Sequence, residues 1–232
     1  MKKIAFAQDT SGPVILVTND ACVDRLSSFI QATAPNVELI ILTGRKGVIE
    51  TLQDRVTPDT LLVCFSTGVI IPKAVLSCLK GPAYNFHAAS PEYPGRDPHH
   101  FAVYYNAKRY GATAHEVAIK VDSGRIIGVE WFEVAPSTPP QALREAAVEA
   151  AFILYCSLMP RILRREHIPS TGIEWREHTW TRKEFLEMCQ ISPTIGREEF
   201  ERRYFAFDGG EYDNLTMEVH GHLFSIDKRS RK

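Results

Sequence analysis

Three side chains of this sequence make a chemically coherent set: the amide of Asn85, the imidazole of His87 and the carboxylate of Asp122. Residues 83–86 read as a short strand that runs straight into Asn85-Phe86-His87. Residues two apart on a strand point the same way, so Asn85 and His87 are expected on one face. Transfer of an acyl group to an amine needs such a set. An amide donates to the developing oxyanion, an imidazole handles a proton, and a carboxylate fixes and charges the imidazole. Asp122 opens the Asp122-Ser123-Gly124 turn. Spacing alone leaves a second reading open, in which Asn85 closes a turn, His87 is a satisfied buried histidine and Asp122 only begins a turn.

The elements that must position these groups alternate. Residues 13–18, 37–42 and 61–65 are β-branched or apolar runs of strand length, bounded by turn formers. Between them, residues 20–34 carry Val23, Leu26, Phe29 and Ile30 at helical spacing, and residues 46–55 suit a surface helix. A Ser-Thr-Gly turn at Ser66 to Gly68 follows the third strand, and a short helix is expected after Pro72. This alternation predicts a doubly wound parallel sheet, whose ligands sit beyond the carboxyl ends of the strands. A helix is expected over 97–106. Two long strands over 112–121 and 126–134 are expected as a hairpin closed by a tight turn at Asp122-Ser123-Gly124. A long helix over 141–165 should bury Leu143, Ala146, Ala147, Ala150, Ile153 and Leu154. In the tail, Thr181 and Glu184 have capping-box spacing. Phe205, Tyr212, Leu215, Met217, Val219 and Leu223 predict short antiparallel strands about a Gly209-Gly210 turn.

Composition removes several classes. The 232 residues are 44% hydrophobic and 24% charged, a globular balance. Lys plus Arg is 27 and Asp plus Glu is 28, so the net charge of −1 supplies no field to gather nucleic acid. The basic cluster Lys228, Arg229, Arg231 and Lys232 reads as a solvated end. No segment is expected to cross a membrane, because the apolar run 150–159 is short and meets Pro160. No signal peptide is read in residues 1–9. Five scattered cysteines without a Cys-x-x-Cys suit a cytoplasmic location, with thiols acting mostly as small core hydrophobes. Thr18-Asn19-Asp20 follows the first strand, so neither a dinucleotide fingerprint nor a P-loop is present.

Other features carry two readings each. His115 is either a support for the site or a core histidine bonded to a backbone carbonyl. His220-x-His222 would place both rings on one strand face, but no further ligand completes a metal set, and the structural reading is preferred. His99-His100 is expected to begin a helix and border the site. Trp175, Trp180 and Tyr212 could stack on a base, though gluing the tail down is the preferred reading. Arg96 could pair with an anionic group or be a solvated loop charge.

The stretch from Asn85 to Val134 resembles the folate-dependent formyltransferases. Four elements of their pattern occur in order: Asn85-Phe86-His87, Tyr93-Pro94-Gly95, Gly111-Ala112-Thr113-Ala114-His115, and Asp122-Ser123-Gly124-Arg125-Ile126-Ile127. The resemblance implies a Rossmann-like α/β formyltransferase fold, N-10-formyltetrahydrofolate as cosubstrate, and no metal. It implies Asn85, His87 and Asp122 as the catalytic triad. It places the folate between the turn at Ser66, Gly68 and Val69 and the loop carrying Val121 and Gly124, and it gives Tyr93 and Arg96 to the acceptor. The histidine loop departs from the family's Ser-Leu-Leu-Pro, reading Ala88-Ala89-Ser90-Pro91. The phosphate loop of the glycinamide ribonucleotide enzymes is replaced by Thr18-Asn19-Asp20, and the tail is too short for the methionyl-tRNA enzymes' barrel. By elimination the chain is most similar to the compact sugar N-formyltransferases, which act on nucleotide-linked amino sugars.

The expectation is therefore a catalytic domain over 1–168 and a small α+β extension over 169–232. The extension should pack on that domain or on a second subunit, which allows a homodimer. The partners expected are folate and a nucleotide-linked amino sugar, with no nucleic acid and no membrane. Two alternatives stand beside this: another small amine acceptor such as glycinamide ribonucleotide, and a non-catalytic binding module on the same fold.

Overall fold

The structure is a computed structural model and describes residues 12–209 and 212–225. The basic cluster at 228–232, the first nine residues and Gly210 lie outside them. The chain forms two compact units. The first comprises Met1–His87, Thr113–Gly128 and Ala151–Ile173, and the second Ala88–Ala112, Val129–Ala150 and Glu174–Lys232.

Strands β1 (Val14–Thr18), β2 (Leu39–Thr43), β3 (Leu61–Phe65) and β4 (Tyr84–His87) alternate with helices α1 (Val23–Thr33), α2 (Val48–Arg55) and α3 (Lys73–Cys78). The sheet runs β2-β1-β3-β4-β5-β6, where β5 is Arg109–Glu116 and β6 is Ile126–Glu133. Pairing is parallel from β2 through β4, and β4 meets β5 antiparallel, with Asn85 opposite His115 and His87 opposite Thr113. This is a mostly parallel α/β sheet of the doubly wound kind.

In the first unit, alternate residues of the strands enter opposite cores. Ile15, Val17, Leu62 and Cys64 pack with Val48 and Leu52 of α2 and Val75 of α3. On the other side Phe65 and Phe86 meet Tyr155, whose hydroxyl donates to Leu26 O at 3.2 Å. Burying a phenylalanine such as Phe86 stabilises by about 1.5–3 kcal/mol. That burial commits its neighbours Asn85 and His87 to the opposite face of β4, where both are half-buried.

In the second unit α4 (Pro98–Tyr104) supplies Phe101 and Ala102 to a core shared with Tyr93, Tyr110, Leu143 and Ala147. Phe185, Cys189, Ile191, Phe207 and Leu215 complete that core. Helix α6 (Arg182–Cys189) starts at a full capping box, with Thr181 and Glu184 bonded reciprocally. Helix α7 (Arg197–Arg203) runs into a π-helical turn at Tyr204–Asp208. A small sheet, β7 (Gln190–Ile191), β8 (Thr216–Val219) and β9 (His222–Ser225), closes the described tail.

Several boundaries differ from those read in the sequence. Strand β5 stops at Glu116, so residues 117–125 form a loop rather than a tight turn. Within that loop Asp122 is left-handed at φ 43° and Ser123 Oγ donates to Lys120 O at 2.8 Å, which turns the chain back toward β6. The tail hairpin turns at His220-Gly221, both at positive φ, rather than at Gly209. His220 is thus a turn residue and shares no strand face with His222. Helix α5 (Pro140–Leu163) continues through Pro160. It buries Leu143, Ala147, Ala150, Ala151, Leu154, Tyr155, Met159, Ile162 and Leu163, while Ala146 and Ile153 face solvent. Helix α5 is longer than the apolar run 150–159 read in the sequence and by length and composition alone would pass for a membrane span, but its inward face is occupied by protein. Of the five thiols only Cys64 and Cys189 are buried, and burial pushes both up to about 12.

Candidate active site

Four side chains of the first unit converge. Asn85 and His87 project from β4, His115 from β5 and Asp122 from the loop that follows. His87 Nε2 lies 3.5 Å from Asp122 Oδ2, and His115 Nε2 lies 3.6 Å from Asp122 Oδ1. Asn85 Nδ2 is 3.0 Å from His115 Nε2. The Asp122 side chain is 6% exposed and that of His87 17%. The carboxylate is thus held under the histidines while the His87 ring keeps an edge in reach of a ligand.

The protonation pattern follows from the contacts. His115 Nδ1 is 2.8 Å from Glu116 O, and a carbonyl can only accept, so Nδ1 carries a hydrogen. Burial lowers the basicity of this ring, outweighing the opposing pull of Asp122. A neutral ring with hydrogen on Nδ1 presents a lone pair at Nε2, which must accept from the Asn85 amide nitrogen. His115 thereby sets which way Asn85 faces. It is both a support for the site and a histidine bonded to a backbone carbonyl, the two roles that the sequence had posed as alternatives. Asn85 Oδ1 is buried and has no hydrogen-bond partner among the described residues.

The loop carrying Asp122 is fixed at its base. Glu116 N donates to Arg125 O at 3.0 Å, and the Arg125 guanidinium bonds both oxygens of Glu116 at 3.2 and 2.5 Å and Ile168 O at 2.8 Å. A Cβ on Gly124 would fall 1.7 Å from Glu116 O, so only glycine passes there. Reading the sequence missed Glu116 and Arg125 as positioning groups. Nothing local marks them, since a carboxylate and a guanidinium nine residues apart meet only across the loop.

The turn after β3 is built in a similar way. Ser66 is left-handed at φ 44°, and its N donates to Phe86 O at 3.0 Å. Thr18 Oγ1 donates to Phe65 O at 3.0 Å and Asn19 Nδ2 to Ser66 O at 3.4 Å. Thr18 and Asn19 had figured in the sequence only as the lack of a phosphate loop, yet they buttress this turn. Arg45 lies over Gly68, where a Cβ would meet its Nη2 at 2.4 Å. Val69 is half-buried, and Ile70, Ile119 and Val121 are exposed apolar residues on the two loops.

Tyr93 and Arg96 belong to the second unit. Tyr93 is buried with its ring 5.9 Å from Tyr110, and Arg96 pairs with Asp97 at 3.2 Å. His99 and His100 lie in α4 of that unit. His100 Nδ1 donates to Ala206 O at 2.7 Å, and burial lowers the basicity of both rings. Among the described residues no group of three or more His, Cys, Asp or Glu is placed to hold a metal ion.

Residues 32–158, more than half of the chain, match the family model described as Formyl transferase. A methionyl-tRNA formyltransferase of Burkholderia orbicola is 24% identical over 162 residues, 67% of this chain and 48% of that protein. The chain spans about half the length of the curated relatives it matches. Among solved structures, a 4-N formyltransferase from Francisella tularensis superposes with a TM-score of 0.72 at 15% identity, covering 94% of this chain and 97% of that one. An N-formyltransferase from Helicobacter canadensis, solved with folinic acid and dTDP-3-aminofucose, superposes with a TM-score of 0.67 at 14% identity, covering 90% and 84%.

Proposed function

The chain belongs to the formyl transferase family, and on that premise we propose that it moves a formyl group from N-10-formyltetrahydrofolate to the primary amine of a nucleotide-linked amino sugar. The observation that carries the reading is the convergence of Asn85, His87, His115 and Asp122 about one carboxylate. The likeness in fold to the Helicobacter protein, solved with dTDP-3-aminofucose, supports an amino-sugar acceptor.

The folate supplies an activated formyl carbonyl when bound. The residues fit such a donor: the exposed side chains of Ile70, Ile119 and Val121 offer apolar surface, and the strained turn at Ser66 offers backbone groups to a flat heterocycle. In this reading Ser66, Gly68, Val69, Val121 and Gly124 line the donor site. Asn85, turned by its bond to His115, aims an amide N–H at the carbonyl oxygen under attack. His87 in its imidazolium form is the second donor to that oxygen. Loss of one such donor costs about 10²–10³ in turnover. Asp122 offsets the charge on His87 and guides the proton of the attacking amine toward the leaving nitrogen. Tyr93 and Arg96 are read as groups that meet the acceptor.

The test is formyl transfer to a panel of nucleotide-linked amino sugars, with glycinamide ribonucleotide and methionyl-tRNA as comparison acceptors. His87→Ala and Asn85→Ala should each lose two or more orders of magnitude in turnover while folding normally. Preference for methionyl-tRNA or glycinamide ribonucleotide would overturn the acceptor reading. Near-normal turnover in His87→Ala would overturn the mechanism.

A further inference from the structure

In the second unit, the loop after β4 and the segment before α6 are fastened together. Trp180 N donates to Pro94 O at 2.9 Å and Arg96 N to Trp180 O at 2.8 Å, making a short parallel bridge between Gly95 and Trp180. Gly95 takes φ 102°, and a Cβ there would stand 2.2 Å from the Trp180 carbonyl oxygen, so glycine is required. Stacking adds a second fastening, with the Trp180 ring 4.1 Å from that of Phe101 and inclined by 9°.

The bridge sets a register. One residue beyond Gly95 stands Arg96, two beyond Trp180 stands Arg182, and both reach the same carboxylate oxygen. Arg96 Nε lies 3.2 Å and Arg182 Nη1 3.3 Å from Asp97 Oδ2. The Arg182 guanidinium also rests 4.8 Å over the Phe185 ring, which narrows its range. Two guanidinium groups around one carboxylate leave a positive charge in excess. The contact with Asp97 engages one nitrogen of each, and among the described residues no other side-chain acceptor takes the rest. The two side chains are 40% and 55% exposed, so their remaining N–H groups face solvent.

An exposed ion pair of this kind adds little to folding, so its carboxylate is readily displaced. A phosphate oxygen is a better match, because each planar fork can bind it bidentately. Two amides at the start of α6, those of Thr181 and Glu184, are already taken by the capping box, and the two guanidinium groups carry the full charges that an anion would meet. We propose that Arg96 and Arg182 form a clamp for the diphosphate of a nucleoside-diphosphate-linked acceptor, with Asp97 holding the two forks aimed until that ligand arrives. The proposal rests on the nucleotide-linked acceptor read above and adds Arg182, Asp97 and the Gly95–Trp180 bridge to it.

The test titrates the full chain with a nucleoside diphosphate and with inorganic pyrophosphate by calorimetry, alongside thermal unfolding. Arg96→Ala and Arg182→Ala should each weaken nucleoside diphosphate binding about 10- to 100-fold. Arg182→Lys should recover part of the loss. Asp97→Asn should tighten binding, since it removes the competing charge while asparagine still accepts the left-handed backbone, φ 49°, at this position. A purely structural ion pair would give the opposite pattern: lower stability in Asp97→Asn and no gain in affinity. Unchanged affinity in both alanine variants, with unfolding temperatures preserved, would overturn the clamp. Weakened transfer RNA binding in Arg182→Ala with nucleoside diphosphate binding unchanged would overturn it as well. Should the arginines hold the diphosphate while no nucleotide-linked amine is formylated, the clamp stands and the acceptor reading fails. Should such amines be formylated with the acceptor KM unchanged in Arg182→Ala, the clamp alone fails.

Discussion

Replacing Asp122 with asparagine keeps the shape of the site and removes its one central charge. The exchange is sterically mild, because asparagine tolerates the left-handed backbone that Asp122 adopts at φ 43°. The charge removed stands 3.5 Å from His87 Nε2. At an effective dielectric of about 20, Coulomb's law puts that pair near 5 kcal/mol, and at about 40, were water to enter, near 2 kcal/mol. The His87 side chain is 17% exposed, which keeps the larger figure relevant. At about 1.4 kcal/mol per decade, the step that the His87 imidazolium assists should slow by between about 30-fold and about 4,000-fold. A second effect adds to the first. The new amide can donate to His115 Nε2, 3.6 Å away, and compete with Asn85 for that lone pair. The assay is the absorbance change on release of deformylated folate at saturating acceptor, with thermal unfolding as the control for folding. Turnover should fall while the donor KM changes little. A folded Asp122→Asn protein within tenfold of wild-type turnover would refute the electrostatic argument.

Three further outcomes follow from the geometry. His99, His100 and His115 all have folded values lowered by burial, so the unfolded chain takes up protons below about pH 6.5 while the folded one does not. Stability should therefore be full above pH 6.5 and fall toward pH 4, by up to about 1.4 kcal/mol per pH unit for each ring; urea unfolding of His115→Asn should show a shallower slope, and an identical slope would refute the neutral ring. Gly124→Ala should displace the Asp122 loop, since its Cβ would fall 1.7 Å from Glu116 O; at least a tenfold loss in turnover is expected, and unchanged kinetics would show that the loop yields freely. Phe207→Ala should cost about 3–5 kcal/mol in urea unfolding, because the ring is fully buried between His100, Phe101 and Phe185. Turnover per folded molecule should stay near normal at 25 °C.

The doubly wound half was legible in the sequence because its strands are buried on both faces. Val14–Val17 and Leu61–Phe65 are unbroken apolar runs, and Pro13 and Ser66 mark one end of each strand. The shared face of Asn85 and His87 could be read from alternation, since Tyr84 and Phe86 take the buried positions that alternate with them. The path of residues 117–125 could not. Val117, Ile119 and Val121 alternate like a strand, and only the left-handed Asp122 with the bonds around Arg125 shows where pairing stops. Helix α5 was found but its face was partly misread, because small and branched residues occur all round it. The tail was least legible: Phe205 and Phe207 fit a strand pattern yet lie in a π-helical turn that buries Phe207 and leaves Phe205 exposed. That Asp122 reaches His87 is likewise a property of the loop, which spacing does not carry.

The two positions at which the backbone of this site departs from common geometry are instructive together. Ser66 and Asp122 are non-glycine residues in the left-handed region, which costs about 1–2 kcal/mol for a residue with a Cβ. Such conformations persist where surrounding bonds over-determine them. Here Ser66 is held through its own N–H to Phe86 and through Asn19, and Asp122 lies between the Ser123 turn and the Arg125 anchor. Phe86 is the residue between Asn85 and His87, so the Ser66 turn is bonded directly to the strand that carries both. His115 extends the same logic to a side chain. Its neutral state is fixed by burial and by Glu116 O, and that state dictates the orientation of Asn85. A donor aimed this way needs no reorientation when charge develops on a substrate oxygen, which is the circumstance in which a single amide N–H is worth most.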